Sequence, residues 1–183
     1  MPDPVQHAQH PPAGLPFRVG LGWDRHRLEL VGPAGEGRPL VLGGVPFEHD
    51  RGPVSHSDGD ALLHAVTDAI LGALGQDDIG ALFPDTDPAH AGADSRIFLE
   101  EAVRRMRQAG WAVGNLDAVV ILERPRLGPR KAEIRERLAG LLGVAADRVN
   151  LKGKTGEGVD ATGAGRAVEA QTVVLLVRAG DDS

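Results

Sequence analysis

The chain has 183 residues and a net charge of −6, enough length for one domain with a real core and too acidic a balance for a nucleic-acid-coating surface. It contains no cysteine, which excludes a disulfide framework and a thiolate metal site, so a metal here must use His, Asp and Glu. Aromatic residues are 3% of the chain, too few for stacking platforms, and no apolar run approaches the roughly 20 residues of a membrane span.

Met1 to about Pro16 is dense in proline and lacks the basic and apolar regions of a secretory signal. It reads as a disordered tail with His7 and His10 as bystanders, and the expected location is the cytoplasm. A strand follows at 17–24. Phe17, Val19, Leu21 and Trp23 face one way and Arg18, Gly20, Gly22 and Asp24 the other, the period of a half-buried strand. Its extended continuation sends Asp24 and His26 off the same side, close enough to grip one ion, although a solvated strand end carries the same pair. After a Gly/Pro turn region from Val31 to Pro39, Leu40 to Val45 reads as a second strand.

A helix is expected over about 58–74, ending before Gly75. Ser57 and Asp60 have the N-cap and N3 spacing of a capping-box variant. Asp60, His64 and Asp68 then recur at every fourth position of an otherwise apolar helix. A histidine flanked by carboxylates is a natural metal ligand, and an exposed polar stripe is the alternative. With Asp24 and His26, His64 completes three N/O ligands, the catalytic zinc pattern with an open fourth position.

Residues 76–88 form a loop rich in Asp and Pro. A second helix runs from about Ser95 to Ala109, capped by Asp94, stopped by Gly110, and burying Ile97, Phe98, Ala102, Val103 and Met106. Residues 116–123 read as a buried strand. A third helix starts with Pro129 at N1, buries Ile134, Leu138, Leu141 and Leu142, and stops at Gly143. Val149 to Lys152 and Ala170 to Val177 are further strands. The glycine-rich stretch between them has its glycines and lysines in the wrong order for a P-loop. Its backbone, Lys154 and Thr155 could still meet phosphate oxygens and Glu157 a hard divalent ion, while a plain hairpin loop remains open. The elements lack regular βαβ alternation, so the expected class is α+β, two layers, with helices on one face of a mixed sheet. One domain is expected over 17–179, with 180–183 as a C-terminal tail.

Seven segments, in order, resemble the 2-C-methyl-D-erythritol 2,4-cyclodiphosphate synthase family of the non-mevalonate isoprenoid pathway. They are Gly22-Trp23-Asp24-Arg25-His26, Leu42-Gly43-Gly44-Val45, His56-Ser57-Asp58-Gly59-Asp60, His64-Ala65-Val66-Thr67-Asp68, Asp78-Ile79-Gly80, Phe83-Pro84-Asp85-Thr86-Asp87-Pro88 and Gly92-Ala93-Asp94-Ser95-Arg96. The resemblance implies zinc at Asp24, His26 and His64, and magnesium or manganese at Glu157. It implies that His56 and Ser57 contact the methylerythritol phosphate. Asp78, Ile79 and Gly80, then Phe83, Pro84, Asp85, Thr86 and Asp87, are implied to line the pocket. Leu122, Pro125, Arg126, Leu127 and Gly128 are implied to wrap the cytosine, mostly with backbone groups. Lys154, Thr155, Gly156 and Glu157 are implied to hold the phosphates, with catalytic roles for His56 and Thr155.

The implied reaction closes a cyclic diphosphate and expels CMP from a cytidine diphosphate substrate, in a homotrimer with active sites between subunits. No nucleic-acid or membrane partner is implied. A metal-dependent phosphohydrolase and a nucleotide-holding scaffold without turnover are the competing readings. The chain departs from the family pattern at Ala161 and Ala164, where an aromatic and an arginine are usual; Arg166 follows two residues on.

Overall fold

The computed structural model describes residues 14–84 and 86–180. The tail expected up to Pro16 therefore lies outside the described residues as far as residue 13, as do Asp85 and 181–183. The main sheet contains β1 (Phe17–Leu30), β4 (Arg51–Pro53), β5 (Trp111–Ile121), β6 (Val149–Lys154) and β7 (Ala167–Arg178), in the order β4-β1-β7-β5-β6. Only the β5–β6 pair is parallel, so the sheet is mixed. The expected strand at 40–45 is instead a hairpin of β2 (Leu40–Leu42) and β3 (Val45–Phe47). Gly43 and Gly44 both take positive φ, 61° and 73°, which a two-residue turn of this hand requires.

The first helix, α1 (Ala61–Leu74), lies on β1 and β7. Its approach explains why β1 alternates with glycine. A Cβ on Gly22 would stand 1.9 Å from the Ala65 carbonyl oxygen, and one on Gly20 1.8 Å from that of Ala69. Backbone thus rests on backbone, with alanines on the helix and glycines on the strand. The apolar side of β1 faces away: Val19 is 61% exposed and Leu21 68%, with Phe17 and Trp23 beside them. The strand is half-buried, as its period predicts, but the glycine side is the buried one.

Asp60, rather than Ser57, caps α1, accepting from the Leu62 and Leu63 N–H groups. The helix ends at Gly75 in the left-handed region. The turn α2 (Ile79–Leu82) lies within the expected loop and α3 (Arg96–Gln108) follows. On α3, Ile97 is 39% exposed and Leu99 takes the buried place expected of it. The helix α4 (Lys131–Leu142) begins two residues after Pro129, which stands in a preceding 3₁₀ turn, and ends at Gly143 as expected. Ile134, Leu138 and Leu142 are buried there, but Leu141 is only partly so. A last turn, α5 (Asp160–Gly163), interrupts the glycine-rich loop. Helices and sheet make the expected α+β architecture.

Candidate active site and metal centre

Strand β1 carries Asp24 and His26 on its inner side, and α1 brings His64 across from them. Asp24 Oδ2 is 3.0 Å from His26 Nε2 and 3.2 Å from His64 Nδ1, and the two histidine nitrogens are 3.2 Å apart. Three donors each about 2.0–2.2 Å from one tetrahedral ion would stand roughly 3.3–3.6 Å apart, within a few tenths of an ångström of this set, which thus suits a divalent metal such as zinc. The electrostatics agree. Burial works to raise the Asp24 carboxyl, yet hydrogen bonds and charge from His26 and His64 hold it well below the usual carboxylate range. Burial opposes a charged His64, but Asp24 raises it, with Asp60 and Asp58 adding from further off. A cluster that favours an added proton this way also favours a cation.

Each member of the polar stripe on α1 has a task. Asp60, fully buried, caps the helix and also accepts from the Gly43 and Gly44 N–H groups at 2.9 and 2.6 Å, tying the β2–β3 turn to the helix start. Asp68 accepts from the Ile79 N–H at 2.8 Å and thereby anchors α2.

The three donors open into a cavity of about 250 Å³. His56, Ser57, Ile79, Gly80 and Phe83, all expected at the site, line it, joined by Val54, Ser55, His90 and Phe98. The Phe83, Phe98 and His90 rings lie 4.6–5.7 Å apart and form an apolar wall facing the ionic group. Arg38, within the expected turn region, holds the Ser55 and His56 carbonyls at 2.8 and 3.2 Å. His56 Nε2 is 3.2 Å from the Asp87 carbonyl oxygen. Asp78 caps α2 through the Ala81 N–H. Pro84, Thr86 and Asp87 are exposed beyond the cavity lining, and Asp85 lies outside the described residues.

The remaining expected residues gather elsewhere. Leu122 and Leu127 are buried, and Leu127 packs beneath Gly153. Between them runs the exposed segment of Arg124 and Arg126, with Pro125 after a cis peptide bond and Gly128 just beyond. Beside it, the Leu122 N–H donates to the Lys154 carbonyl and the Gly156 N–H to Glu123 Oε2. Thr155 Oγ1 donates to Glu157 Oε1 at 3.0 Å. Glu157 and Asp160 hold φ of 52° and 57°, a left-handed backbone that costs a non-glycine residue energy.

Register separates this pole from the metal pole. Asp24 pairs with Ala170, Ala170 with Val120, and Val120 with Gly153. Gly153, where the glycine-rich stretch begins, therefore shares one row of the sheet with Asp24, three strand spacings or about 14 Å away.

An α+β domain with a His/Asp metal cluster at the mouth of an apolar-walled cavity has the build of a metal-assisted enzyme. Residues 17–177 match the model of the YgbB family, and the chain belongs to that family. It is 55% identical over 174 residues to the chloroplastic 2-C-methyl-D-erythritol 2,4-cyclodiphosphate synthase of Oryza sativa, covering 95% of this chain and 75% of the relative. The corresponding synthase of Ralstonia pickettii is 52% identical over 165 residues, covering 90% and 95%. Among solved structures, the CDP complex of IspF from Plasmodium falciparum is similar with a TM-score of 0.78 and 32% identity, covering 92% of this chain and 100% of that one.

Proposed function

We propose that the chain converts 4-diphosphocytidyl-2-C-methyl-D-erythritol 2-phosphate into 2-C-methyl-D-erythritol 2,4-cyclodiphosphate and CMP, acting as a phosphorus–oxygen lyase in isoprenoid synthesis. The observation that carries this reading is the convergence of Asp24, His26 and His64 on one cavity. In this reading those three side chains hold zinc and Glu157 holds magnesium or manganese. Such ions, when bound, supply positive charge against the repulsion of the two phosphates. The 2-phosphate is already anionic, so no side-chain nucleophile is required, and the oxygen bridging the α- and β-phosphorus leaves with CMP. What the chain must provide is in-line positioning. Since a carbonyl only accepts, His56 donates its Nε2–H to Asp87 and stays turned along the cavity where the methylerythritol phosphate lies. Thr155 orients Glu157, and the Gly156 backbone anchored on Glu123 shapes the phosphate loop.

The chain works as a homotrimer with shared sites. One diphosphate does not span the roughly 14 Å of sheet from Asp24 to Gly153, where the phosphate loop begins. A neighbouring subunit therefore brings its 122–128 and 154–157 segments to the metal pole. The exposed apolar side of β1, extended by Val173 of β7, is a surface that association would cover. No helix among the described residues is long and apolar enough to cross a membrane. A cytoplasmic location belongs to the same proposal, although the rice relative is described as chloroplastic.

Product analysis by phosphorus NMR tests the chemistry: cyclic diphosphate with CMP supports it, whereas simple hydrolysis or no turnover rejects it. Mixing an inactive Asp24→Ala chain with a chain inactivated in 122–128 tests the shared site. Activity should return in mixed trimers; full subunit exchange without recovery would place the whole site in one chain.

A further inference from the structure

His64 has a second side. Its Nδ1 faces Asp24 and His26, while its Nε2 lies 2.7 Å from the Oγ of Ser95. Ser95 is fully buried at the start of α3, yet its hydroxyl makes no capping bond to its own helix. It donates to Asp58 Oδ1 instead, while the Ser95 N–H donates to Asp58 Oδ2 at 3.1 Å. Asp58 is itself held by its N–H on the Ala93 carbonyl and by the Asp60 N–H donating to Oδ1.

Donor counting orients this chain of contacts. A carboxylate only accepts, and a serine hydroxyl has one hydrogen. Ser95 must give that hydrogen to Asp58, so its oxygen can only accept from His64. Asp24, a carboxylate, accepts from Nδ1 on the other side; when a metal displaces that hydrogen, the proton left on the neutral imidazole sits on Nε2 and the Nδ1 lone pair points at the position between Asp24 and His26. Ser57 Oγ, 3.3 Å from Nε2 and already accepting from the Gly59 N–H, is a weaker second acceptor on the same side.

We propose that Ser95 and Asp58 are positioning residues: a serine-relayed carboxylate that locks His64 in the Nε2–H tautomer and so presents Nδ1 to the metal. This rests on the reading of Asp24, His26 and His64 as metal ligands. The first turn of α3 takes its side-chain cap from Asp94, as expected, whose Oδ1 accepts the Arg96 N–H at 2.9 Å, and this leaves the Ser95 hydroxyl for the relay. The direct carboxylate–histidine contact common behind metal ligands is here lengthened by one hydroxyl.

The test measures zinc affinity of the full chain by competition with a chromophoric chelator. Ser95→Ala and Asp58→Ala should each weaken zinc by roughly 10- to 100-fold. The double variant should lose no more than the worse single one, since the two act in series. Ser95→Thr, which keeps the hydroxyl, should recover most of the affinity. Proton–nitrogen correlation spectra of the unaltered, zinc-loaded chain give a readout that does not depend on variants folding. They should show His64 protonated at Nε2 and metal-bound at Nδ1. If the unaltered chain binds no zinc, the metal reading itself fails. If it binds zinc but both alanine variants match it within twofold, or Nε2 is the metal-bound nitrogen, the relay is overturned.

Discussion

At one end of the shared row, Asp24, His26 and His64 are held by a helix packed backbone to backbone on its strand and by buried hydrogen bonds behind the ring of His64. Beyond Gly153, about 14 Å along that row by strand spacing, Lys154, Thr155, Gly156 and Glu157 lead into an exposed or half-exposed loop with two left-handed non-glycine residues. In the proposed reading the metal pole is finished within one chain, whereas the phosphate pole is shaped but open. The contrast suits the proposed trimer, in which rigid ligands would hold one ion in advance and a strained, accessible loop would meet a substrate gripped elsewhere.

The largest expected effect separates the poles by chemistry. Glu157→Gln should keep zinc, because the triad is untouched, yet reduce turnover by about 10²- to 10³-fold through loss of the second ion's ligand. Asp24→Ala should lose zinc and turnover together. Metal analysis beside kinetics distinguishes them, and undiminished activity of Glu157→Gln at limiting magnesium would remove Glu157 from its role.

Next is one substitution made at both poles. Gly22→Ala drives a Cβ into the Ala65 carbonyl and should cost about 3 kcal/mol or more, because backbone cannot step aside. Gly158→Ala meets open space and carries only the penalty of its φ of 74°, about 1 kcal/mol. Thermal unfolding of the two variants checks the difference. Equal losses would mean that the metal pole is no more tightly built than the loop.

Sequence carried much of this site and missed the rest for definable reasons. The Asp-x-His spacing on a strand and the stripe of Asp60, His64 and Asp68 on a helix are local periodicities, and the structure brings Asp24, His26 and His64 together. Which side of β1 is buried could not be read from hydrophobicity, since the apolar side faces out. The glycines at 20 and 22, matched to alanines four apart at 65, 69 and 73, held the signal, but only pairing the strand with the helix reveals it. Ser57 looked like the cap because its spacing suited one, while Asp60 had stronger reasons, with Gly43 and Gly44 also needing an acceptor. Ser95, Asp58 and His90 are common residue types whose roles depend on tertiary neighbours. The distance between the poles depends on register, which a single strand does not encode.

Asp60 offers a smaller, pH-dependent test of the metal pole. Burial, opposed by the Gly44, Leu63 and Gly43 N–H groups, pushes its carboxyl from 3.8 up to about 6. The folded chain therefore keeps a proton that the unfolded chain has lost between those values. Its contribution is fully present below 3.8 and disappears as pH rises through about 6, at most about 3 kcal/mol. Asp60→Asn should flatten that part of the stability–pH curve relative to the unaltered chain, whatever its absolute stability. Parallel curves would mean that Asp60 does not titrate there.

The smallest expected effect lies in the loop. Glu123 Oε2 accepts from the Gly156 N–H at 3.2 Å, a single contact at the start of the loop proposed to hold phosphate. A glutamine can accept the same bond, but without the charge that roughly doubles its strength. Glu123→Gln should therefore leave zinc affinity and the unfolding temperature nearly unchanged and raise KM by about fivefold, equivalent to about 1 kcal/mol. Its effect should fall on substrate and not on metal, because β7 stands between Glu123's own strand, β5, and the β1 strand that carries Asp24 and His26. If Glu123→Gln instead lowers zinc affinity as much as Ser95→Ala does, the two poles are coupled through the sheet and are not built independently.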